Sequence, residues 1–149
     1  MVLFTTIPMT SKYNAKPGFY KGDYYKSQLE ITVAEEIEYL MMAEPEDRWE
    51  IWKNVSSCVY EDKIIVIPKR NGNGNYNWKV DWVAYGFDAK VLFYIEAKGY
   101  VRPDDLPKFN GYARLRKKDP TLPPLYLVRK SITRMILLED FLEERKYES

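Results

Sequence analysis

Histidine is missing from all 149 residues, and cysteine occurs once, as Cys58. These shortages remove whole chemistries. Without imidazole there is no Ser-His-Asp or Cys-His triad, no histidine general base and no zinc site of the usual catalytic kind. One thiol builds neither an intrachain disulfide framework nor a Cys-rich zinc site. Any metal must then be held by oxygen, which selects magnesium, manganese or calcium. Long apolar runs are lacking too: none approaches the roughly 20 residues that span a bilayer. Residues 1–10 offer no charged leader, and Thr5, Thr6 and Pro8 interrupt their apolar run. A cytoplasmic protein with no membrane partner is expected.

What is present suits one globular domain. Apolar residues make up 46% of the chain, with thirteen Tyr and four Trp, enough for a single core. The net charge of +1 conceals strong segregation. Residues 35–50 hold seven acids against Arg48 alone. Residues 99–134 reverse this, with Arg102, Lys108, Arg114, Arg116, Lys117 and Lys118 among their bases. Local fields of this kind, more than the total, select partners.

Pro8, Pro17, Gly18 and Gly22 mark residues 1–22 as an irregular arm, basic through Lys12, Lys16 and Lys21 and aromatic between them. Residues 23–149 are expected to form the domain proper. Leu29, Val33, Ile37 and Leu40 recur at helical spacing and predict a helix over about 24–43, capped by Ser27 or Asp23 and ended by Pro45. A short second turn is expected over 46–54. Strands follow at 57–68, 78–85 and 91–98, the first two joined through Asn71-Gly72-Asn73-Gly74, a strong hairpin signal. A helix over 104–118, a strand over 125–129 and a helix over 136–145 complete the order. A mixed sheet with helices on its faces follows.

Three ionisable residues interrupt these apolar strands. Asp81 lies in Val80-Asp81-Trp82, and Glu96 and Lys98 lie in Ile95-Glu96-Ala97-Lys98. Residues two apart on a strand share a face, so Glu96 and Lys98 point to one place, and an Asp on a neighbouring strand would complete a cluster. Buried charge is costly unless paired or metal-bound. Two carboxylates with the Ala97 carbonyl suit a hard cation that activates water at a phosphodiester, and Lys98 would orient that water or neutralise developing charge. On spacing alone, a solvated Glu–Lys ion pair on a strand edge fits better; the apolar flanks and Gly99 directly after favour the cluster. Glu30 adjoins the apolar stripe of the first helix and would reach over the sheet toward Asp81 and Glu96, with Glu35 a weaker substitute. The basic helix after Gly99 interleaves cations with Phe109 and Tyr112, as a nucleic-acid face does. Lys12, Lys16, Lys26, Arg102, Lys108, Arg114, Arg116, Lys117 and Lys118 are the expected nucleic-acid contacts.

Glu30, Asp81 and Glu96-Ala97-Lys98, set on helix, strand and strand, resemble the PD-(D/E)xK nuclease superfamily, whose core runs helix, three strands, helix, strand. The resemblance covers about residues 11–130. Ser11-Lys12-Tyr13-Asn14-Ala15-Lys16, Tyr25-Lys26-Ser27-Gln28-Leu29-Glu30 and Glu96-Ala97-Lys98-Gly99-Tyr100 resemble small phage-encoded endonucleases. The Ser-x-Leu-Glu piece resembles phage Holliday-junction-resolving endonucleases. Val80 departs from the pattern, since the family usually has Pro before the strand Asp. The resemblance implies a restriction-endonuclease-like α/β fold and a Mg2+- or Mn2+-dependent endonuclease acting on DNA, branched DNA first. It implies Glu30, Asp81, Glu96 and Lys98 as catalytic and Asp81, Glu96 and Ala97 as metal-binding. It also implies a homodimer and a place in the cytoplasm of a phage-infected host. A nuclease of linear duplex or without specificity, and a non-catalytic nucleic-acid-binding module, are the alternatives.

Overall fold

The computed structural model describes residues 17–146. They form an α/β structure with a five-stranded mixed sheet and a separate two-stranded sheet, flanked by helices. The chain enters through β1 (Gly18–Tyr20) and β2 (Asp23–Tyr25), an antiparallel pair joined at Lys21 and Gly22. Both joining residues have positive φ, 49° and 87°. That is the signature of the two-residue turn whose twist matches a hairpin. The stretch 17–22 is therefore not irregular as expected, because Lys21 adopts a conformation usually left to Gly or Asn. Tyr20 and Lys21 both bond Glu38 of the following helix, which ties the hairpin down. Lys12, Lys16 and the rest of residues 1–16 of the expected arm lie outside the described residues.

Helix α1 (Gln28–Met42) starts four residues later than the periodicity predicts. Ser27 is its N-cap, and its hydroxyl accepts the Glu30 N–H at 3.2 Å. Ser27 and Glu30 together make the S-x-x-E capping pattern, while Asp23, Tyr24 and Tyr25 are held in β2. Leu29, Val33, Ile37 and Leu40 are buried as expected. Each contributes roughly 1.5–3 kcal/mol by burial against about 1 kcal/mol for a cap. The stripe holds the helix, and the cap decides where it begins.

After two short 3-10 turns, Pro45–Asp47 and Glu50–Trp52, the chain forms the expected meander of β3 (Val55–Pro68), β4 (Asn75–Gly86) and β5 (Val91–Ala97). A 3-10 turn at Pro103–Asp105 leads into α2 (Leu106–Lys118), which carries the chain across to β6 (Leu125–Val128), parallel to β5. Residues Ile136–Leu137, expected to open the last helix, instead form β7 on the free edge of β6. There they satisfy backbone groups that an uncovered edge would leave open. Helix α3 (Leu138–Arg145) follows, and the sheet order is β3-β4-β5-β6-β7.

The sheet separates two apolar layers. Leu29, Val33 and Ile37 of α1 pack on Trp82, Ala84, Phe93 and Ile95. Phe109 and Tyr112 of α2, with Leu138 and Phe141 of α3, pack on Trp78, Val80, Tyr94 and Leu127. Regular alternation would keep Trp78, Val80, Trp82 and Ala84 on one face. Here the first two belong to one layer and the last two to the other, so the side changes across Asp81. The cause is a bulge. Tyr60 pairs Trp82 and Lys63 pairs Val80, leaving Glu61 and Asp62 opposite Asp81, with Asp62 at φ 47°. Among the described residues, no helix is long and apolar enough to cross a membrane.

Candidate functional site

The bulge places Asp81 where two ladders fail at once. Toward β5 the pairing runs Tyr85↔Val91 to Trp82↔Ile95 and stops, one step short of setting Asp81 opposite Glu96. The Asp81 carboxylate takes over the missing backbone role: its Oδ2 accepts the Ala97 N–H at 2.9 Å. Beyond this point β5 turns its bonding to β6, with the Lys98 N–H donating to Val128 O at 2.9 Å. Asp81 thus lies between the strands, and the backbone of Ala97 opens onto it. Bulges commonly re-aim a side chain in this way.

Asp81, Glu96 and Glu30 are all buried. Burial raises the Asp81 carboxyl well above its ordinary range, and the charges of Glu96 and Glu30 raise it further. The Ala97 amide and Lys26 oppose the shift. Glu96 moves from its ordinary 4.5 to about 8, again through burial first, then Lys98 (opposing), Glu30 (adding), and Lys26 and a hydrogen bond from Trp78 (both opposing). One Glu96 oxygen, Oε1, is buried without any hydrogen-bond partner. Like charges in a poorly solvated place, short of donors, are the condition a cation relieves.

Glu30 is held from two sides. Tyr60 Oη donates to its Oε2 at 3.0 Å and the Ser27 hydroxyl approaches its Oε1 at 3.4 Å. Burial, together with the charges of Glu30 and Asp81, raises the Tyr60 phenol, so it remains a donor. Its ring sits against Trp82 and Tyr25, with centroids 5.0 and 4.5 Å away. Glu35, the weaker substitute for Glu30, is not part of this group. Its carboxyl is raised by burial and by Glu38 and Glu36 of its own helix.

Lys98 shares the Glu96 face, as strand alternation requires, but its partner is Asp105. Nζ lies 3.2 Å from Asp105 Oδ1. Asp105 Oδ2 also accepts the Arg102 N–H at 2.8 Å, fixing the turn that starts α2. Sequence reasoning overlooked Asp105, Tyr60 and Trp78. Only the S-x-x-E pattern around Glu30 carried a local signal for the geometry found. Among the described residues, no three Asp, Glu or Cys side chains form a group that would hold a metal ion by themselves. The set with the right chemistry is two carboxylates, Asp81 and Glu96, and the neighbouring backbone of Ala97.

The expected nucleic-acid contacts divide. Lys26 is exposed at the start of α1, and its charge acts on both Asp81 and Glu96. Arg102, Lys117 and Lys118 are exposed, and Lys108 and Arg114 are half-buried. Arg116 has structural partners: it pairs with Glu139 Oε2 at 2.5 Å and donates to Leu122 O at 3.2 Å, joining α2 to α3. A groove of about 970 Å³ lies beside α2, lined by Arg70, Tyr76, Arg114, Lys117 and Leu142 among others.

Comparison with family models, with curated proteins and with solved structures found no match to this chain.

Proposed function

We propose that the chain is a Mg2+- or Mn2+-dependent DNA endonuclease with a restriction-endonuclease-like core, and that branched DNA is its substrate. The observation that carries this reading is the acid centre at the bulge. Asp81 and Glu96 are buried side by side, both raised by burial and like charge, and one carboxylate oxygen lacks a donor. Such an arrangement weakens the fold unless it serves chemistry.

Asp81 and Glu96, with the Ala97 carbonyl, would hold the ion. When bound, it supplies Lewis-acid polarisation of the phosphoryl group and a water of lowered pKa. The chain's own groups do the rest. Glu30, fixed by Tyr60 and Ser27, adds negative charge beside the pair and orients water by hydrogen bonding. Lys98, on the Glu96 face, neutralises charge on the scissile phosphate, and Asp105 holds its ammonium near that place. Lys26 and the exposed bases of α2 attract the polyanion. The junction form of the reading carries a homodimer, because a four-way junction presents two symmetry-related strands.

The deciding experiment incubates the full chain with four-way, flapped and linear duplex DNA, with Mg2+, Mn2+ or chelator. Metal-dependent cleavage that is fastest on the junction, and absent in Asp81→Asn and Lys98→Ala, is the expected result. Equal rates on all substrates would leave a nuclease without junction specificity. Binding without cleavage would make the chain a nucleic-acid-binding module.

A further inference from the structure

The outer half of the β3–β4 hairpin differs in charge from the rest of the sheet. From residue 63 to residue 80 the chain carries Lys63, Lys69, Arg70 and Lys79 and no acid. None of these four forms an ion pair among the described residues. Strand β5 pairs with β4 only between Tyr85 and Trp82, so beyond the bulge the two strands continue as a ribbon, from Lys63↔Val80 to Pro68↔Asn75. At the usual strand rise the ribbon is about 20 Å long.

Its two faces have different fates. Ile67, Trp78 and Val80 are buried under α2, where Trp78 stacks on Phe109 at 5.0 Å. A Cβ on Gly111 would collide with the Ile67 side chain, so helix and ribbon are in close contact. Ile64 and Val66 point the other way and are 52% and 54% exposed. Across the ladder their partners are Lys79 and Asn77, also exposed. Directly opposite residues share a face, so one open surface presents Ile64, Val66, Asn77 and Lys79 together.

We propose that this ribbon enters the major groove of duplex DNA. Ile64, Val66, Asn77 and Lys79 face the base edges, and Lys69 and Arg70 at the tip rest on the phosphate backbone. The major groove is about 12 Å wide and admits a two-stranded ribbon, whereas the minor groove, about 6 Å wide, does not. The open face holds the side chains that read bases there: an amide for adenine, an ammonium for guanine, and branched alkyl groups for the thymine methyl. Charge decides against a second copy of this chain as the occupant. A two-fold contact would set cations against cations with no acid between them, whereas a polyanion matches Lys69, Arg70 and Lys79. Arg70 also lines the groove with Arg114 and Lys117, so the positive surface continues onto α2. The ribbon is rooted at the bulge facing Asp81, and a duplex held on it lies beside the acid centre. The inference rests on the proposed function for its partner, DNA, and not for turnover.

The test measures binding of the full chain to labelled duplex DNA in chelator, by fluorescence anisotropy, from about 50 to 200 mM salt. Each lost phosphate contact flattens the slope of log affinity against log salt by about 0.9. Lys69→Gln, Arg70→Gln and Lys79→Gln combined remove two phosphate contacts and one base contact and should flatten it by roughly 2, with little change in thermal unfolding because Arg70 and Lys79 are exposed and Lys69 is half-buried over the Tyr76 ring. Asn77→Ala should keep the slope and lose preference among duplex sequences. Bound protein should protect guanine N7, a major-groove atom, from methylation. A wild-type slope in the triple variant, or unprotected N7 in the bound complex, overturns the ribbon. So does a wild-type dimer that Ile64→Lys dissociates without altering DNA affinity, which would assign the face to a second copy. Should the triple variant misfold, Asn77→Ala and the methylation pattern decide. Ribbon-dependent binding without metal-dependent cleavage refutes the endonuclease reading alone, and cleavage with an unaltered slope refutes the ribbon alone.

Discussion

Arg48 and the Asp81–Glu96 pair are all ionisable and buried, yet Arg48 has acceptors around it while the acids have too few donors. The Arg48 guanidinium donates to four backbone carbonyls, those of Ala43, Trp52, Val55 and Met41, at 2.7 to 3.3 Å. These belong to the end of α1, the following turns and the start of β3, so one side chain closes the path from helix to sheet. Each carbonyl is a neutral dipole, and a planar fork of donors suits several at once. At the acid centre the neighbouring charges are acidic, the donors are few (the Ala97 N–H for Asp81 and Trp78 for Glu96), and one oxygen has none. The first place spends its charge on structure. The second retains an electrostatic deficit, which the proposed function turns to metal binding.

That contrast is open to attack by substitution. The largest stability loss is expected at Arg48. Arg48→Met leaves buried carbonyls unsatisfied and should lower unfolding free energy by about 3–5 kcal/mol, read by denaturant titration. Arg48→Lys should rescue little, since an ammonium cannot reach carbonyls arranged for a fork. At the acid centre the sign reverses. Asp81→Asn removes like-charge repulsion and should raise stability by about 1–2 kcal/mol, while cleavage falls on the order of 10³-fold. A stability loss of Arg48 size at Asp81 would erase the distinction.

The pH dependence follows from the same deficit. A carboxyl raised in the folded state stabilises the fold while protonated. That contribution is complete below Glu96's ordinary value of 4.5 and is lost as pH rises through about 8. Metal-free protein should therefore lose roughly a few kcal/mol between these limits, and Asp81→Asn should flatten the loss. A melting temperature that instead rises across this window would contradict the raised carboxyls. The smallest effect is expected at Tyr60. Tyr60→Phe removes the bond to Glu30 but keeps the ring between Tyr25 and Trp82, costing about 1 kcal/mol and roughly 10-fold in cleavage.

Much of the frame was legible in local pattern. The α1 stripe with Glu30 beside it, the three-strand meander around Asn71-Gly72-Asn73-Gly74 and the burial of Asp81 and Glu96 follow from periodicity and from acids set among apolar residues. The first hairpin was hidden because Lys21 takes a positive φ, which composition does not announce. The last helix was read two residues long because β7 depends on an edge formed by distant residues. Lys98 was expected to meet the acids alone, and its Asp105 partner comes from a capping turn on another element. Arg48 read as a lone base among acids, yet its partners are carbonyls, which no charge pattern reveals. The five-stranded mixed sheet with flanking helices is what the structure has in common with the expected fold.

The bulge at Glu61–Asp62 also behaves as a phase shifter. Along β3 the layers alternate regularly through it, Cys58 and Tyr60 to the α1 layer and Ile65 and Ile67 to the α2 layer, so the change of phase falls on β4, between Val80 and Trp82. Deleting Asp62 would remove the extra residue opposite Asp81, return β4 to strict alternation and rotate everything beyond it by half a period. Ile65 and Ile67 would swing to solvent, Ile64 and Val66 would face α2, and Asp81 would drop back into an ordinary ladder position. One residue in β3 thus sets both the orientation of the ribbon and the existence of the acid centre.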